Sequence, residues 1–197
     1  MRKLRAGVLI SGRGSNMMAL IEAARAKDYP AEIVCVVSNR PDAKGLDYAA
    51  ARGIATEVID HKTYKSREDF DAALGCYLRS QKLDLVALAG FMRFLSPELV
   101  KQWKERMLNI HPSLLPAYPG LLTHERAIAD GAKLHGCTVH HVTADLDGGP
   151  VILQAKVPVL PGDTPDTLAA RVLKEEHRIY SEALAMVARQ LQAKTST

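Results

Sequence analysis

The sequence of 197 residues has few aromatic side chains, three cysteines and no hydrophobic run long enough to span a membrane. Aromatic residues make up 5% of the chain and the basic residues are scattered, so the net charge of +4 does not form the basic, aromatic stripe typical of nucleic-acid-binding proteins. The first apolar run, residues 6–10, is also too short for the core of a signal peptide. We therefore expect a cytoplasmic protein that binds small anionic ligands rather than nucleic acid or a membrane.

Cysteine is too scarce and too irregularly spaced for a disulfide framework or a zinc site. Cys35, Cys76 and Cys137 are an odd number, they form no Cys-x-x-Cys pair, and each lies in an apolar segment. We expect three buried, reduced thiols. The sequence also has no His-x-x-x-His and no His/Cys/Asp group with the spacing of metal ligands, so we expect no catalytic metal.

Short apolar runs alternate with segments of helical length over the first half of the chain. This βα alternation predicts an α/β protein with a Rossmann-like, largely parallel open sheet flanked by helices. The predicted strands are residues 6–10, 33–37, 56–59, 83–89 and 107–111. Ser66 and the Ser96-Pro97 pair have the pattern of helix starts, and Ser15 or Asn16 is expected to cap the first helix.

The pattern changes after Gly120. The expected elements there are a short helix near residues 125–130, extended segments at 135–142 and 151–157, and a long final helix from Pro165 to about Ala193, capped by Thr164. The two extended segments predict an antiparallel C-terminal extension of the sheet. With 47% hydrophobic residues and no low-complexity linker, residues 1–197 are expected to form one domain.

The segment around Asn109 and His111 has the character of an active site. Side chains two apart on a strand share a face, so the Asn109 amide and the His111 imidazole are expected to point together. Pro112 begins a stiff, proline-rich loop that ends at Gly120. Downstream, Asp147 precedes a Gly-Gly-Pro turn, where its carboxylate can approach the histidine and stabilise the imidazolium. Asn, His and Asp together suit oxyanion stabilisation and proton transfer.

Polar clusters also follow the first and fourth predicted strands, at the sheet edge where open α/β folds bind ligands. Residues 11–16, Ser-Gly-Arg-Gly-Ser-Asn, combine glycines with a helix start, which suits a phosphate; a tight turn before a capped helix is the alternative interpretation. Met17 stands where a dinucleotide fingerprint needs a small residue, and residues 38–40 contain no ribose-binding acid. NAD is therefore not expected, and the lack of Gly-Lys-Ser/Thr excludes an ATPase loop.

The remaining histidines carry weaker signals. His61, His135 and His177 have no chemical context and are interpreted as surface or structural residues. His140 and His141 alternate on a predicted strand, so at most one of them faces a cleft, and the sequence leaves the side of His140 open. His124 is left open as well. A serine nucleophile is not supported, because the Gly-x-Ser-x-Gly elbow is missing.

Five motifs taken together resemble the phosphoribosylglycinamide formyltransferases, a family of folate-dependent enzymes. They lie at residues 10–16, 89–93, 109–120, 146–152 and 154–157, over nearly the whole length of the chain. The resemblance implies a single domain with the formyltransferase fold. About residues 1–105 would be its mononucleotide-binding half, and about residues 106–197 its catalytic and folate-binding half.

The resemblance also implies an activity, which is transfer of the formyl group of 10-formyltetrahydrofolate to glycinamide ribonucleotide (GAR) in purine biosynthesis. Catalysis is then expected from Asn109, His111 and Asp147, without metal or NAD, in a monomer or a homodimer. The implied binding residues are Gly14, Ser15 and Asn16 for the GAR phosphate, Glu176 for the rest of GAR, and Arg67, Met92, Arg93, Phe94, Leu95 and Asn109 for the folate.

Three rival functions use the same fold. A formyltetrahydrofolate deformylase would share the Asn, His and Asp and pass the formyl group to water, but a second histidine is expected in that family where this chain has Pro112-Ser113, together with an extra N-terminal regulatory domain. A methionyl-tRNA formyltransferase would need a C-terminal tRNA-binding domain. A non-catalytic folate or nucleotide sensor is disfavoured by the intact catalytic trio.

Overall fold

The computed structural model describes residues 2–195, which form one seven-stranded sheet covered by helices. The strands are β1 (Leu4–Ile10), β2 (Ala31–Ser38), β3 (Ala55–Val58), β4 (Leu85–Leu88), β5 (Met107–His111), β6 (Leu134–His141) and β7 (Val151–Pro158). Their order in the sheet is β3-β2-β1-β4-β5-β6-β7. The first five strands pair in parallel, whereas β6 is antiparallel to both β5 and β7. The predicted α/β fold with an antiparallel C-terminal extension is confirmed.

Within this part of the chain the helices lie in two layers. They are α1 (Ser15–Ala24), α2 (Gly45–Ala50), α3 (Arg67–Ser80), α4 (Pro97–Gln102), α5 (Thr123–Ala129) and α6 (Pro165–Thr195). Val8 and Ile10 of β1 belong to the core formed with α1 and α6, whereas Leu9 belongs to the core formed with α3 and α4. The central strands are therefore buried on both faces, which is why they read as continuous apolar runs.

Three of the predicted helix caps are confirmed. The hydroxyl oxygens of Ser66 and Ser96 each accept the backbone N–H three residues further along, at 3.0 Å and 3.3 Å, at the starts of α3 and α4. Thr164 makes the same bond at 3.3 Å at the start of α6. These bonds satisfy N–H groups of the first turn that have no partner inside the helix.

The start of α1 differs from the prediction. Neither Ser15 nor Asn16 caps it, because both already lie within the helix and the N-cap is Gly14. Gly14 has φ 72° and ψ 37°, a left-handed conformation that glycine adopts without Cβ strain. No side chain within residues 2–195 accepts a hydrogen bond from this first turn, so its N–H groups remain available to a ligand.

The prediction of three buried thiols is right for Cys35 and Cys137 and wrong for Cys76, and all three thiols are free. Cys76 lies on α3 two positions after the buried Leu74, which turns it about 200° around the helix, towards solvent. Among residues 2–195, no helix is both long and apolar enough to cross a membrane.

Tyr180 of α6 joins the two strands that carry the candidate site. Its fully buried hydroxyl lies 2.8 Å from the carbonyl oxygen of Leu88 in β4 and 3.1 Å from that of Leu108 in β5. The single hydroxyl proton is shared between the two carbonyls, so α6 contacts the end of β4 and the first half of β5, next to Asn109.

Candidate active site

A cleft of about 760 Å³ lies at the carboxyl ends of β4 and β5, the edge where open α/β sheets bind ligands. The predicted site residues that line it are Asn16, Arg67, Met92, Arg93, Phe94, Leu95, Asn109, His111, Asp147 and Glu176. Gly14 and Ser15 are not part of this lining and lie at the start of α1, next to Asn16. The fold thus brings together residues that are far apart in the sequence.

Both ring nitrogens of His111 have a neighbour that can only accept hydrogen bonds. Nε2 lies 2.9 Å from the carbonyl oxygen of Tyr118, so it carries a proton and donates. Nδ1 lies 3.5 Å from Oδ2 of Asp147. A ring protonated on both nitrogens matches both acceptors, whereas the neutral ring turns the lone pair of Nδ1 towards a carboxylate.

Asp147 holds the proline-rich loop as well as the histidine. It has a left-handed φ of 51°, and its side chain is 8% exposed. Its Oδ2 accepts the N–H of Gly120 at 2.9 Å, at the end of the loop in which the Leu115–Pro116 peptide bond is cis. One carboxylate therefore links the turn after β6, the loop after β5 and the ring of His111.

His140 completes the cluster, and sequence reasoning did not assign it to the site. Antiparallel pairing of β6 with β5 sets it opposite Asn109, and its Nε2 lies 3.2 Å from the Asn109 Nδ2 and 3.8 Å from Oδ1 of Asp147. Its Nδ1 donates to the His141 carbonyl at 3.0 Å, so Nε2 of the neutral ring accepts from the Asn109 amide. Burial lowers the pKa of His140, which favours that neutral ring.

Gly45 is a second residue that sequence reasoning missed. Its N–H, at the start of α2, donates to the carbonyl oxygen of Gly12 at 3.0 Å. A Cβ at this position would lie 3.0 Å from the carbonyl oxygen of Arg13 and 2.6 Å from Cδ1 of Ile10. Only glycine permits this approach, so α2 supports the loop that leads into α1. A single glycine between a strand and a short helix gives no sequence signal for such a role.

Glu176 connects the last helix with the first. Its Oε2 accepts a hydrogen bond from Asn16 Nδ2 at 2.6 Å, and the residue is 7% exposed. Burial raises the pKa of this carboxyl, while the bond from Asn16 acts in the opposite direction. Oδ1 of Asn16 is buried and has no hydrogen-bond partner within residues 2–195. An N–H group of a ligand in the cleft would satisfy that oxygen.

Part of the cleft wall is apolar and open to solvent. Five large side chains that line it are more than half exposed, namely Met92, Phe94, Leu121, Leu122 and Leu146. Apolar groups clustered around a cleft mark a binding surface rather than a scattered excess of apolar residues. Arg67 and Arg93 add positive charge, and the Arg93 guanidinium lies 5.8 Å from the ring centre of Phe70. This wall suits a flat, partly aromatic ligand with negative groups.

His124 and His135 form a pair beside the cleft. Nε2 of His135 lies 3.1 Å from Nδ1 of His124, and the rings meet edge to face with centres 5.1 Å apart. His135 is 1% exposed, and burial lowers its pKa to about 4, so it is a buried structural residue, whereas His124 lines the cleft. No group of three or more His, Cys, Asp or Glu side chains in the described part of the chain is arranged to hold a metal ion.

Comparison with known proteins adds independent findings. Residues 4–184 match the model of the family described as formyl transferase. The chain is 51% identical over 173 residues to the phosphoribosylglycinamide formyltransferase of Escherichia coli (strain K12). The aligned region covers 88% of this chain and 82% of that protein. It is 50% identical over 187 residues to the trifunctional purine biosynthetic protein adenosine-3 of Homo sapiens. That alignment covers 95% of this chain and 18% of the relative. The chain thus spans less than a fifth of the trifunctional relative.

Solved structures agree with these matches. A phosphoribosylglycinamide formyltransferase from Brucella melitensis is 53% identical with a TM-score of 0.92, covering 95% of this chain and 96% of that one. A glycinamide ribonucleotide transformylase from Symbiobacterium toebii is 48% identical with a TM-score of 0.93, covering 95% and 89%.

Proposed function

This chain belongs to the formyl transferase family, and we propose that it transfers the formyl group of 10-formyltetrahydrofolate to the glycine amine of GAR, a step of purine biosynthesis. The observation that carries the proposal is the convergence of Asn109, His111 and Asp147 in one cleft, beside the uncapped start of α1. These groups suit the three tasks of the reaction, which are stabilisation of the oxyanion, proton transfer and binding of the GAR phosphate.

In this reaction the GAR amine attacks the formyl carbon, a C–N bond forms, and negative charge develops on the formyl oxygen. One N–H of the Asn109 amide is held by His140, which leaves the second for that oxygen. Protonated His111, with Asp147 3.5 Å from Nδ1 as its counter-charge, adds positive charge beside that oxygen. As the bond to N10 of the folate breaks, the surplus proton of the amine passes to N10, and Asp147 assists that transfer.

The substrate sites follow from the charge and shape of the cleft. We assign the GAR phosphate to the backbone N–H groups of Gly14, Ser15 and Asn16, because an uncapped helix start with its positive dipole end attracts an anion. Glu176 and the free Oδ1 of Asn16 are acceptors for N–H groups of GAR. The apolar wall is assigned to the folate, with Asn109 at its reactive end and the wall residues Arg67, Met92, Arg93, Phe94 and Leu95.

The same assignment divides the chain into two functional parts of one domain. About residues 1–105 form the proposed mononucleotide-binding half and about residues 106–197 the proposed catalytic and folate-binding half, although Arg67 and residues 92–95 of the first half also line the folate wall. The chemistry as drawn uses neither metal nor NAD. We further propose that the protein acts in the cytoplasm as a monomer or homodimer, without binding nucleic acid.

A formyl-transfer assay separates the candidate functions. The purified protein is incubated with 10-formyltetrahydrofolate, with and without GAR, and formyl-GAR, formate and tetrahydrofolate are quantified. We expect tetrahydrofolate release that depends on GAR, with one formyl-GAR for each tetrahydrofolate, and its loss in His111→Ala. Formate release at the same rate without GAR would identify a deformylase, and folate binding without any turnover would identify a sensor.

A further inference from the structure

A buried hydroxyl joins two loops that lie 81 positions apart in the sequence. Ser11, directly after β1, is 6% exposed, and its Oγ accepts the backbone N–H of Met92 at 2.8 Å. Ser11 begins the phosphate loop, residues 11–16. Met92 lies in the folate loop, residues 90–95, which follows β4 and lines the cleft. The bond therefore connects the loop proposed for one substrate with the loop proposed for the other.

Asn39 fixes the orientation of this hydroxyl. Oγ of Ser11 lies 2.5 Å from Oδ1 of Asn39. Since the N–H of Met92 can only donate, the hydroxyl accepts from it and has its own proton left for the amide oxygen. Asn39 is 2% exposed, and its Nδ2 lies 3.1 Å from Nδ1 of His61. The hydroxyl thus makes one bond as donor, to the buried Asn39, and one as acceptor, from the backbone of Met92.

The folate loop depends on such backbone bonds. Residues 91–95 contain no helix or strand. Phe91 and Leu95 pack against the core, but the side chains of Met92 and Phe94 are both 64% exposed and have little packing of their own. Its far end is tied by the N–H of Ser96, which donates to the buried Asp71 Oδ2 at 2.5 Å. The bond to Ser11 is the corresponding tie at the near end.

We propose that Ser11 is a positioning residue for the formyl donor, which holds the backbone of the folate loop so that Met92 and Phe94 stand against the cleft. This inference rests on the proposed function. Ser11→Ala leaves the N–H of Met92 and Oδ1 of Asn39 without their partner and releases the near end of the loop. The loss should weaken folate binding, whereas the N–H groups of α1 that serve the GAR phosphate stay in place.

Ser38→Ala is a matched control. Ser38 is 0% exposed and ends the neighbouring strand β2. Its Oγ donates to the carbonyl oxygen of Arg40 at 2.8 Å and accepts the Arg40 N–H at 3.0 Å. The substitution therefore removes a buried hydroxyl with one donor and one acceptor bond, as Ser11→Ala does, but it leaves the bond between the Ser11 hydroxyl and the N–H of Met92 in place.

The test measures KM for each substrate, binding of a stable 10-formyl folate analogue by calorimetry, and Tm. We expect Ser11→Ala to raise KM for 10-formyltetrahydrofolate and Kd for the analogue about tenfold, with KM for GAR changed less than about twofold. Ser38→Ala should lower Tm and leave both KM values within about twofold of the wild type. A purely structural role predicts lower Tm in both variants and no selective loss of folate.

Three results would overturn the inference: unchanged analogue binding in Ser11→Ala, equal loss of both substrates, or the same folate defect in Ser38→Ala. If the alanine variant does not fold, Ser11→Cys replaces it in the test. The slightly larger thiol fills the space of the hydroxyl but accepts hydrogen bonds weakly, so folate binding alone should fall. Failure of the proposed function is recognised separately. A wild type that binds the analogue without formylating GAR contradicts the function, while the calorimetric comparison still decides the role of Ser11.

Discussion

Oδ2 of Asp147 lies 3.5 Å from Nδ1 of His111, while the other nitrogen of the same ring donates to the Tyr118 carbonyl at 2.9 Å. The backbone of the proline-rich loop therefore occupies Nε2, and Nδ1 faces the carboxylate. Since Nδ1 carries a proton beside the carboxylate only when the ring is charged, we expect the pair to act as one unit. The carboxylate is itself fixed by the N–H of Gly120 at 2.9 Å.

Asp147→Asn should lower kcat by about 10²–10⁴-fold while KM for both substrates changes much less. The amide oxygen still accepts the N–H of Gly120, but the charge that balances protonated His111 is gone. In a His111→Ala background the same substitution should be nearly silent, because residues that act as one unit are not additive. Steady-state kinetics of the single and double variants measure this coupling. If the two losses multiply, the residues have separate roles.

Asn109→Ala should raise the activation barrier by about 2.7–4 kcal/mol, because it removes an amide donor aimed at the developing oxyanion. Asn109→Asp keeps the shape but replaces the donor by a negative charge, so its kcat should fall at least as far. Single-turnover rates with both substrates saturating isolate this effect from binding. A wild-type rate in Asn109→Asp would show that the amide is not a donor in the transition state.

Gly45→Ala should weaken GAR binding more than folate binding. The new Cβ would lie 3.0 Å from the Arg13 carbonyl oxygen and 2.6 Å from Cδ1 of Ile10, which forces the phosphate loop to move. Gly75→Ala in α3 is the control, since its Cβ would meet only side-chain atoms of Leu99 and Arg79, at 3.1 Å and 3.2 Å. We expect KM for GAR to rise in Gly45→Ala alone. An equal rise in both variants would point to general destabilisation.

Stability should fall as the pH drops from about 6.5 to 4, in part through His135. Burial lowers the pKa of His135 from its ordinary value of 6.5 to about 4, and repulsion from His124 adds to this. The unfolded chain therefore binds a proton in that window and the folded chain does not, so acid favours unfolding by up to about 1.4 kcal/mol per pH unit for this group. Well above pH 6.5 neither state binds this proton, so the free energy of unfolding no longer depends on the titration of His135.

Urea unfolding at pH 7.5, 6 and 5 measures the effect of His135. His135→Gln should be less stable than the wild type at pH 7.5, because it loses the bond to His124, but its stability should fall less steeply towards pH 5. The free energies of the two proteins should therefore converge in acid. Parallel pH dependence would mean that His135 does not titrate in this range.

The sequence by itself determined most of the elements and indicated several residues of the candidate site. The strands were predictable because strands buried on both faces of a parallel sheet read as apolar runs. Period-two geometry predicted that Asn109 and His111 share a face. The structure agrees, because Asn109 contacts His140, His111 contacts Asp147, and these two partners lie close together. The serines before α3 and α4 were recognisable because capping is a local interaction over three residues. Interactions of this kind depend on neighbours in the sequence alone.

Only the tertiary structure decided which distant groups meet. The register of β6 against β5 brought His140 to Asn109, and a shift of one residue would have turned it to the other face. The close approach of Gly45 to the phosphate loop, and the Tyr118 carbonyl that occupies Nε2 of His111, depend on how whole elements pack. Local periodicity carries no information about register or approach distance, because these are fixed by the packing of segments remote in the chain.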